Sequence, residues 1–388
     1  MSFLDGAMSD WIDDELDERR RLGLYRSRRR LESAQGARVR LGGREIVNFS
    51  SNDYLDLAAD PRLARAAARA ARRFGCGAGA SPLVSGHLRP LRDLERDLAA
   101  WEGTEAALVF ATGYAANLAA VSTLAGREDA VFSDALNHAS LIDGGRLSRA
   151  RLHVYRHCDL DHLHDLLARE GPAARRRLIV TDTVFSMDGD LAPLDGLIDL
   201  AERHDALLLI DEAHATGVLG EGGRGLTDLL APRTFDPDHL VKVGTLSKAL
   251  GAQGGFVCGS HRLVEYLVNC GRPYIFSTAL APPLAAAARE AVALVRAEPE
   301  RRRRLLALAE KLRDGLGVTG GSRCQIVPVI VGEAAAAVRL SARLEERGLL
   351  VPAIRPPSVP EGTSRLRISL TAGHTEEDVR RLLEALRE

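Results

Sequence analysis

The stretch "LVKVGTLSKALGAQGGFVCG", residues 240–259, holds two strand-length apolar runs joined by a short polar turn that carries a lysine and ends in glycines. Neither run alternates, and continuous apolarity marks strands buried on both faces of a sheet. The lysine in the turn, Lys248, is unusual. Of 52 Lys plus Arg residues, only Lys242, Lys248 and Lys311 are lysines, so this chain nearly always meets a need for positive charge with arginine. Arginine stays protonated at ordinary pH, whereas a lysine amine can lose its proton and attack a carbonyl carbon. Composition alone also admits a plain surface charge at this position.

The same texture extends outward from this stretch. Strand-length runs occur at "AALVFA" (106–111), "DAVFS" (129–133), "RLIVTD" (177–182) and "ALLLID" (206–211), with helical patterns such as "LDGLIDLAERH" (194–204) between them. A mainly parallel sheet covered by helices follows, and ligands of such sheets gather at the strands' C-terminal ends. After about residue 285 the chain turns to arginine- and alanine-rich helices with short strands at "QIVPVIV" (325–331) and "RLRISL" (365–370). The expected organisation is an N-terminal segment over 1–54, a large domain over 55–285 and a smaller α+β domain over 286–388. Thr375 and Asp378 have the spacing of a capping box for a last helix striped by Val379, Leu382, Leu383 and Leu386.

Hydrophobic residues make up 46% of the chain, charged residues 27%, and the formal net charge is −1, which lacks the basic excess of a nucleic-acid binder. Ala106 to Gly126 carries no charge and is long enough to suggest a membrane span. Its polar residues Thr112, Gly113, Asn117, Ser122 and Thr123 and its many alanines fit a buried strand, turn and helix better, so no membrane partner is expected. The five cysteines are odd in number and never arranged as C-x-x-C, which disfavours a disulfide framework and a zinc site. A cytoplasmic location is expected, and the acidic N-terminus does not read as a signal peptide.

"LLLIDEAHATG" (207–217) closes a buried run with Asp211 and presents His214 three residues later. "DEAH" is also the label of a helicase box. That reading needs a G-x-x-x-x-G-K-[ST] loop, and no lysine here follows a glycine. Asp211 and Lys248 on neighbouring strand ends instead suit pyridoxal phosphate. The lysine forms the Schiff base, and the carboxylate keeps the pyridine nitrogen protonated so that the ring draws electrons from a carbanion. Thr245 and Ser247 add hydroxyls beside the lysine, and the turn "ATGYAAN" (111–117) offers backbone N–H groups suited to a phosphate. His138, in "NHASLIDG" (137–144), is read alone more often a structural histidine than a ligand. "HVYRHCDLDHLHDLL" gathers His153, His157, His162 and His164 at the spacing of no common metal site, so it reads as a solvated helix start and no metal is expected.

Seven segments in order, "NFSSNDYLDL", "FATGYAAN", "NHASLIDG", "TDTVFSMDGDLAPL", "IDEAHATGVLG", "GTLSKALGAQGG" and "SRLRISLTA", resemble the α-oxoamine synthases along nearly the whole chain. The resemblance implies an α/β, aspartate-aminotransferase-like fold (PLP fold type I): a large domain with a mostly parallel sheet and a smaller α+β C-terminal domain. It implies pyridoxal 5'-phosphate as cofactor and a homodimer with the active site at its interface. Carried over by position, Lys248 would be the Schiff-base lysine, Asp211 the partner of the pyridine nitrogen, His214 a partner of the ring's phenolic oxygen, and His138 a residue stacked on the ring. Gly113 and Tyr114 would meet the cofactor phosphate, Ser186 and Thr245 would supply hydroxyls, and Thr278 would reach the phosphate bound by the neighbouring subunit. Asn52 would lie near the substrate, Arg367 would bind the amino-acid carboxylate, and Arg28 and Ser358 would meet the acyl substrate.

The loop "AIRPPSVPEGTSRLRISLTA" (353–372) is most similar to the biotin-pathway branch of the family. That likeness implies decarboxylative condensation of L-alanine with pimeloyl-CoA or a pimeloyl carrier protein to give 8-amino-7-oxononanoate, the thiol and CO2. The alternatives are another α-oxoamine synthase joining glycine to an acyl-CoA, or an aminotransferase or lyase of the same fold. The chain departs from the family at three places. Asp56 stands where glycine is usual, Leu91 where many members carry histidine, and Ser358 where threonine is usual. "RSRRR" (26–30) offers other arginines beside Arg28.

Overall fold

In the computed structural model, which describes residues 7–230, 238–318 and 324–387, thirteen strands form three sheets among the described residues. The first six residues of the acidic N-terminus lie outside them. In chain order the strands are β1 (Arg38–Leu41), β2 (Arg44–Asn48), β3 (Ala106–Phe110), β4 (Ala130–Asp134), β5 (Arg151–Tyr155), β6 (Arg177–Asp182), β7 (Leu207–Asp211), β8 (Leu240–Thr245), β9 (Gly255–Gly259), β10 (Ile326–Gly332), β11 (Leu349–Leu350), β12 (Ala353–Ile354) and β13 (Ser364–Ser369).

The central sheet has the order β3-β9-β8-β7-β6-β4-β5. It is mostly parallel, as expected; only β9 runs against both of its neighbours, β3 and β8. Strands β4, β8 and β9 are buried along their full length, which is why they read as unbroken apolar runs. Strand β5 was not expected. It is one of the sheet's two edge strands and, unlike β3 at the other edge, leaves Leu152 and Val154 exposed, so the double-sided burial that betrays the other strands is missing from its sequence. The uncharged stretch from Ala106 is β3 followed by the helix Gly113–Leu124, capped by Thr112 Oγ1 accepting from Ala115 N at 3.0 Å. Among the described residues no helix is long and apolar enough to cross a membrane.

Two three-stranded sheets complete the structure. Strands β10, β13 and β12 are antiparallel in that order, whereas β2 lies between β1, antiparallel to it, and β11, parallel to it. The N-terminal strands thus share a sheet with a strand from the C-terminal part. Ser369 N donates to Phe49 O at 2.9 Å and Ala372 N to Tyr54 O at 2.8 Å, so residues 49–54 run beside the end of β13. The last helix, Glu376–Arg387, begins with the expected capping box: Asp378 N donates to Thr375 Oγ1 at 3.2 Å, and Thr375 N to Asp378 Oδ2 at 2.9 Å.

Candidate active site

Strands β6, β7 and β8 are adjacent and parallel, and the C-terminal edge they form carries Asp182, Asp211 and Thr245. Lys248 lies in the turn just beyond β8. Leu246 N donates to Gly254 O at 3.0 Å and Gly251 N to Lys248 O at 2.9 Å, which folds this turn tightly onto the sheet edge. Gly251 has φ 58°, and a Cβ there would sit 2.5 Å from Ala58 N, so only glycine permits the turn.

Lys248 is half-buried, with Nζ 3.0 Å from His214 Nε2. Burial pulls its amine down to about 8, against the opposing charges of Asp211 and Asp182. His214 is buried, and burial, reinforced by the charges of Lys248 and Arg367, holds it well below the ordinary histidine value. Its ring is therefore neutral. The other ring nitrogen, Nδ1, is 2.6 Å from Tyr54 Oη, and its carbonyl accepts from Gln325 Nε2 at 2.8 Å.

Asp211 is buried and held by neutral donors: Ala213 N at 2.7 Å on one oxygen and Asn117 Nδ2 at 2.6 Å on the other. Among the described residues no lysine or arginine forms an ion pair with it. A buried carboxylate aimed by neutral donors has charge left for a cationic partner, and a protonated pyridine nitrogen is such a partner. Asn117 Oδ1 is itself buried without a hydrogen bond. His138 begins the helix Ala139–Ser148; its Nδ1 lies 2.7 Å from Ser140 Oγ, and its backbone N–H donates to Asp182 Oδ2 at 2.6 Å. Burial lowers His138 as well.

The helix Gly113–Leu124 starts at this edge. Thr112 satisfies the N–H groups of Ala115 and Ala116, leaving those of Gly113 and Tyr114 at the head of the helix, where an anion is favoured. A Cβ at Gly255 would lie 2.4 Å from Gly113 Cα, and one at Gly113 would lie 3.2 Å from Thr245 Oγ1. The helix start is therefore pressed against β9 and the Thr245 hydroxyl, which is also 2.7 Å from Ser247 Oγ. The Tyr114 side chain is exposed and its hydroxyl donates to Asp143. These donors, with Asp211 and Lys248, match the two ends of pyridoxal phosphate.

Arg367, on β13, donates to Asn52 Oδ1 at 3.1 Å, Ser369 Oγ at 2.7 Å and Tyr54 Oη at 3.3 Å, and through Nε to the carbonyl of Ser186. The structure thus brings Arg367, Asn52 and Ser186 together and ties them through Tyr54 and His214 to Lys248. Arg28, Ser358 and Thr278 are exposed, and no contact among the described residues joins them to this cluster. Arg28 and Ser358 belong to segments that touch, since Arg26 donates to Pro356 O at 3.3 Å and Arg355 to Gly23 O.

Sequence reasoning missed Tyr54, Asn117, Asp182 and Gln325. Asp182 had a signal, because it closes "RLIVTD" as Asp211 closes "ALLLID"; it is buried and pushed well above the ordinary aspartate value, first by burial and then by Asp211. The other three carry no local sign. The departures also have places. Asp56 adopts φ 56°, the left-handed conformation that explains the family's usual glycine, and Leu91 is a core residue. The histidine tract is not a solvated helix start: His153 lies on β5 stacked on Phe132, His157 is held between two aspartates, and only His162 and His164 lie on the helix Leu160–Glu170.

The family model for aminotransferase class I and II matches residues 44–386. Two curated relatives named 8-amino-7-oxononanoate synthase are 52% identical over 98% of this chain and 95% of the relative (Anaeromyxobacter dehalogenans, strain 2CP-1) and 51% identical over 98% of both (Alkalilimnicola ehrlichii). The chain belongs to the α-oxoamine synthase branch of the class I and II aminotransferases. Among solved structures, this family member resembles the serine palmitoyltransferase of Sphingomonas wittichii, with TM-score 0.90, 32% identity and coverage of 99% of this chain and 97% of the other. A lysine-to-alanine variant of the S. paucimobilis serine palmitoyltransferase, solved with bound PLP-myriocin aldimine, gives 0.91 and 31% identity, covering 100% and 98%. The 8-amino-7-oxononanoate synthase of Francisella tularensis gives 0.75 and 30%, covering 88% and 96%.

Proposed function

We propose that this α-oxoamine synthase joins L-alanine to pimeloyl-CoA or a pimeloyl carrier protein with loss of CO2, giving 8-amino-7-oxononanoate and the free thiol in biotin biosynthesis. The observation that carries the reading is the continuous line of contacts from Lys248 through His214 and Tyr54 to Arg367, beside the unpaired carboxylate of Asp211. When bound, pyridoxal 5'-phosphate supplies an electron sink for negative charge at the amino acid's α-carbon. Lys248 holds the cofactor and then removes and returns the proton at that carbon. An amine lowered to about 8 is neutral in an appreciable fraction of molecules near neutral pH, which a base requires.

Asp211 would keep the proton on the pyridine nitrogen, neutral His214 would hydrogen-bond the phenolic oxygen, and His138 would lie against the ring. The N–H groups of Gly113 and Tyr114, with the hydroxyl of Thr245, would hold the phosphate, and Ser186, whose carbonyl meets Arg367, would supply a further hydroxyl to the cofactor. Arg367 takes the substrate's α-carboxylate beside Asn52, and Arg28 and Ser358 bind the acyl substrate. In a homodimer, Thr278 completes the phosphate site of the other subunit. The exposed Val84 and Phe276, on neighbouring segments, support such an interface, because large apolar side chains grouped on a surface mark contact sites. The five free cysteines support a reducing, cytoplasmic setting.

The likeness to serine palmitoyltransferases makes the choice of amino acid the point to assay. Alanine, glycine and serine are each mixed with pimeloyl-CoA and with shorter acyl-CoAs, and thiol release and product mass are followed. Alanine with the pimeloyl thioester is the expected best pair. Faster release with glycine or serine, or amino transfer without thiol release, overturns the reading.

A further inference from the structure

His157 lies on the loop between β5 and the helix Leu160–Glu170, apart from the cluster around Lys248, and both of its ring nitrogens meet carboxylates. Nδ1 is 2.9 Å from Asp134 Oδ1, and Nε2 is 2.5 Å from Asp190 Oδ2. A neutral imidazole has one N–H to donate, and two ionised carboxylates can only accept, so the ring is held as an imidazolium. The hydrogen bonds to Asp134 and Asp190 raise it to about 12. The Phe185 ring stands edge-on to it at 4.4 Å.

Each carboxylate belongs to a different rim of the candidate active site. Asp134 ends β4 and accepts from Leu136 N at 2.8 Å and Cys158 N at 2.9 Å; the chain it anchors runs directly to His138. Asp190 closes the turn that begins at Phe185, where Phe185 N donates to Asp190 O at 3.0 Å and Gly189 N to Phe185 O at 2.8 Å. That turn presents the Ser186 carbonyl to Arg367 and the Asp188 carboxylate to Arg365. His157 is therefore a charged link between the loop carrying His138 and the turn that seats Arg367. Asp134, His157 and Cys158 also lie close enough to share a cation, but a cation would have to displace a proton from the His157 ring that the two carboxylates stabilise.

We propose that His157 is a positioning residue which, through Asp134 and Asp190, sets the spacing between His138 and Arg367 and thereby the fit of the amino-acid substrate. The proposal rests on the reading of Arg367 as the carboxylate ligand. His157→Gln and Asp190→Asn, each assayed in the holoenzyme, should raise the KM for alanine about tenfold while leaving the KM for the acyl thioester and the affinity for cofactor unchanged. The double variant should be no worse than either single one, because both cut the same link.

Isotope-labelled histidine spectra at a pH well above the ordinary histidine range should show one doubly protonated ring that His157→Gln removes. Should the histidine variant fail to fold, Asp190→Asn, at a part-exposed carboxylate, carries the same KM comparison. An unchanged alanine KM, equal rises for alanine and thioester, or multiplying single effects overturns the proposal. If the unaltered protein prefers another amino acid, the functional reading fails, and the same KM comparison made with that amino acid still decides the link.

Discussion

Lys242 and Lys248 sit six positions apart on one strand and its exit turn, and they do opposite things. Lys242, within β8, is buried with its Nζ 2.5 Å from Glu102 Oε2 and 3.2 Å from Arg224 O. Burial, the largest single influence, works to lower its amine, but the charges of Glu102 and Glu212 and the hydrogen bond to Glu102 together hold it above the ordinary lysine value. Among the described residues Lys248 has no carboxylate in contact. Its nearest partner is the neutral His214, and burial pulls it down to about 8. Burial alone does not make a lysine reactive; a buried lysine stays a cation when a carboxylate touches it and becomes a titrating amine when the carboxylates stand one layer away.

The sharpest way to break this contrast is to remove each amine in turn. Lys248→Ala should cut turnover on the order of 10⁴-fold while leaving unfolding in urea within about 1 kcal/mol of the parent, since no charged partner is stranded. Residual turnover near the parent level would remove Lys248 from the chemistry. Lys242→Met should do the reverse. Glu102, whose Oε1 already lacks a hydrogen bond, would be left buried with no cation, at a cost of about 3–5 kcal/mol in urea unfolding. Adding Glu102→Leu should recover most of that loss, and turnover per folded molecule should hold; a double variant as unstable as the single one would show the pair is not the cause.

The smallest effect concerns pH. Only a neutral amine attacks the cofactor's aldehyde, so the initial rate of pyridoxal phosphate uptake by cofactor-free protein should rise with pH and level off above a midpoint near 8. An absorbance-monitored profile that keeps rising into the ordinary lysine range, about 10, would place Lys248 with Lys242 rather than against it.

Much of this site is legible in the amino-acid sequence, for a definite reason. Asp211 and Lys248 each follow a run buried on both faces, so apolar continuity flags the strand and the polar residue that ends it. Asp182 obeys the same rule at the end of β6, but its role comes from standing beside Asp211, a neighbourhood that only strand order creates. Strand β5 is hidden because, unlike β3 at the opposite edge, it leaves most of its residues exposed or part-exposed and so carries no unbroken apolar run. Tyr54 and Gln325 are hidden for a different reason: they reach His214 across 160 and 111 positions of chain, and nothing in their neighbours marks them. The charge on His157 is equally invisible, since its two carboxylates lie 23 and 33 positions away.

The sequence by itself determined the parallel sheet, the polar edge where it ends, the pairing of Asp211 with Lys248, and the family, because apolar period and residue type are local properties of the chain. Only the tertiary structure decided which lysine is a locked cation and which a titrating amine, which histidine is neutral and which charged, and how Arg367 is tied back to Lys248. Those are properties of distance and burial between residues far apart in sequence. A side chain's charge state is set by what packs against it, and the packing exists only once the chain has folded.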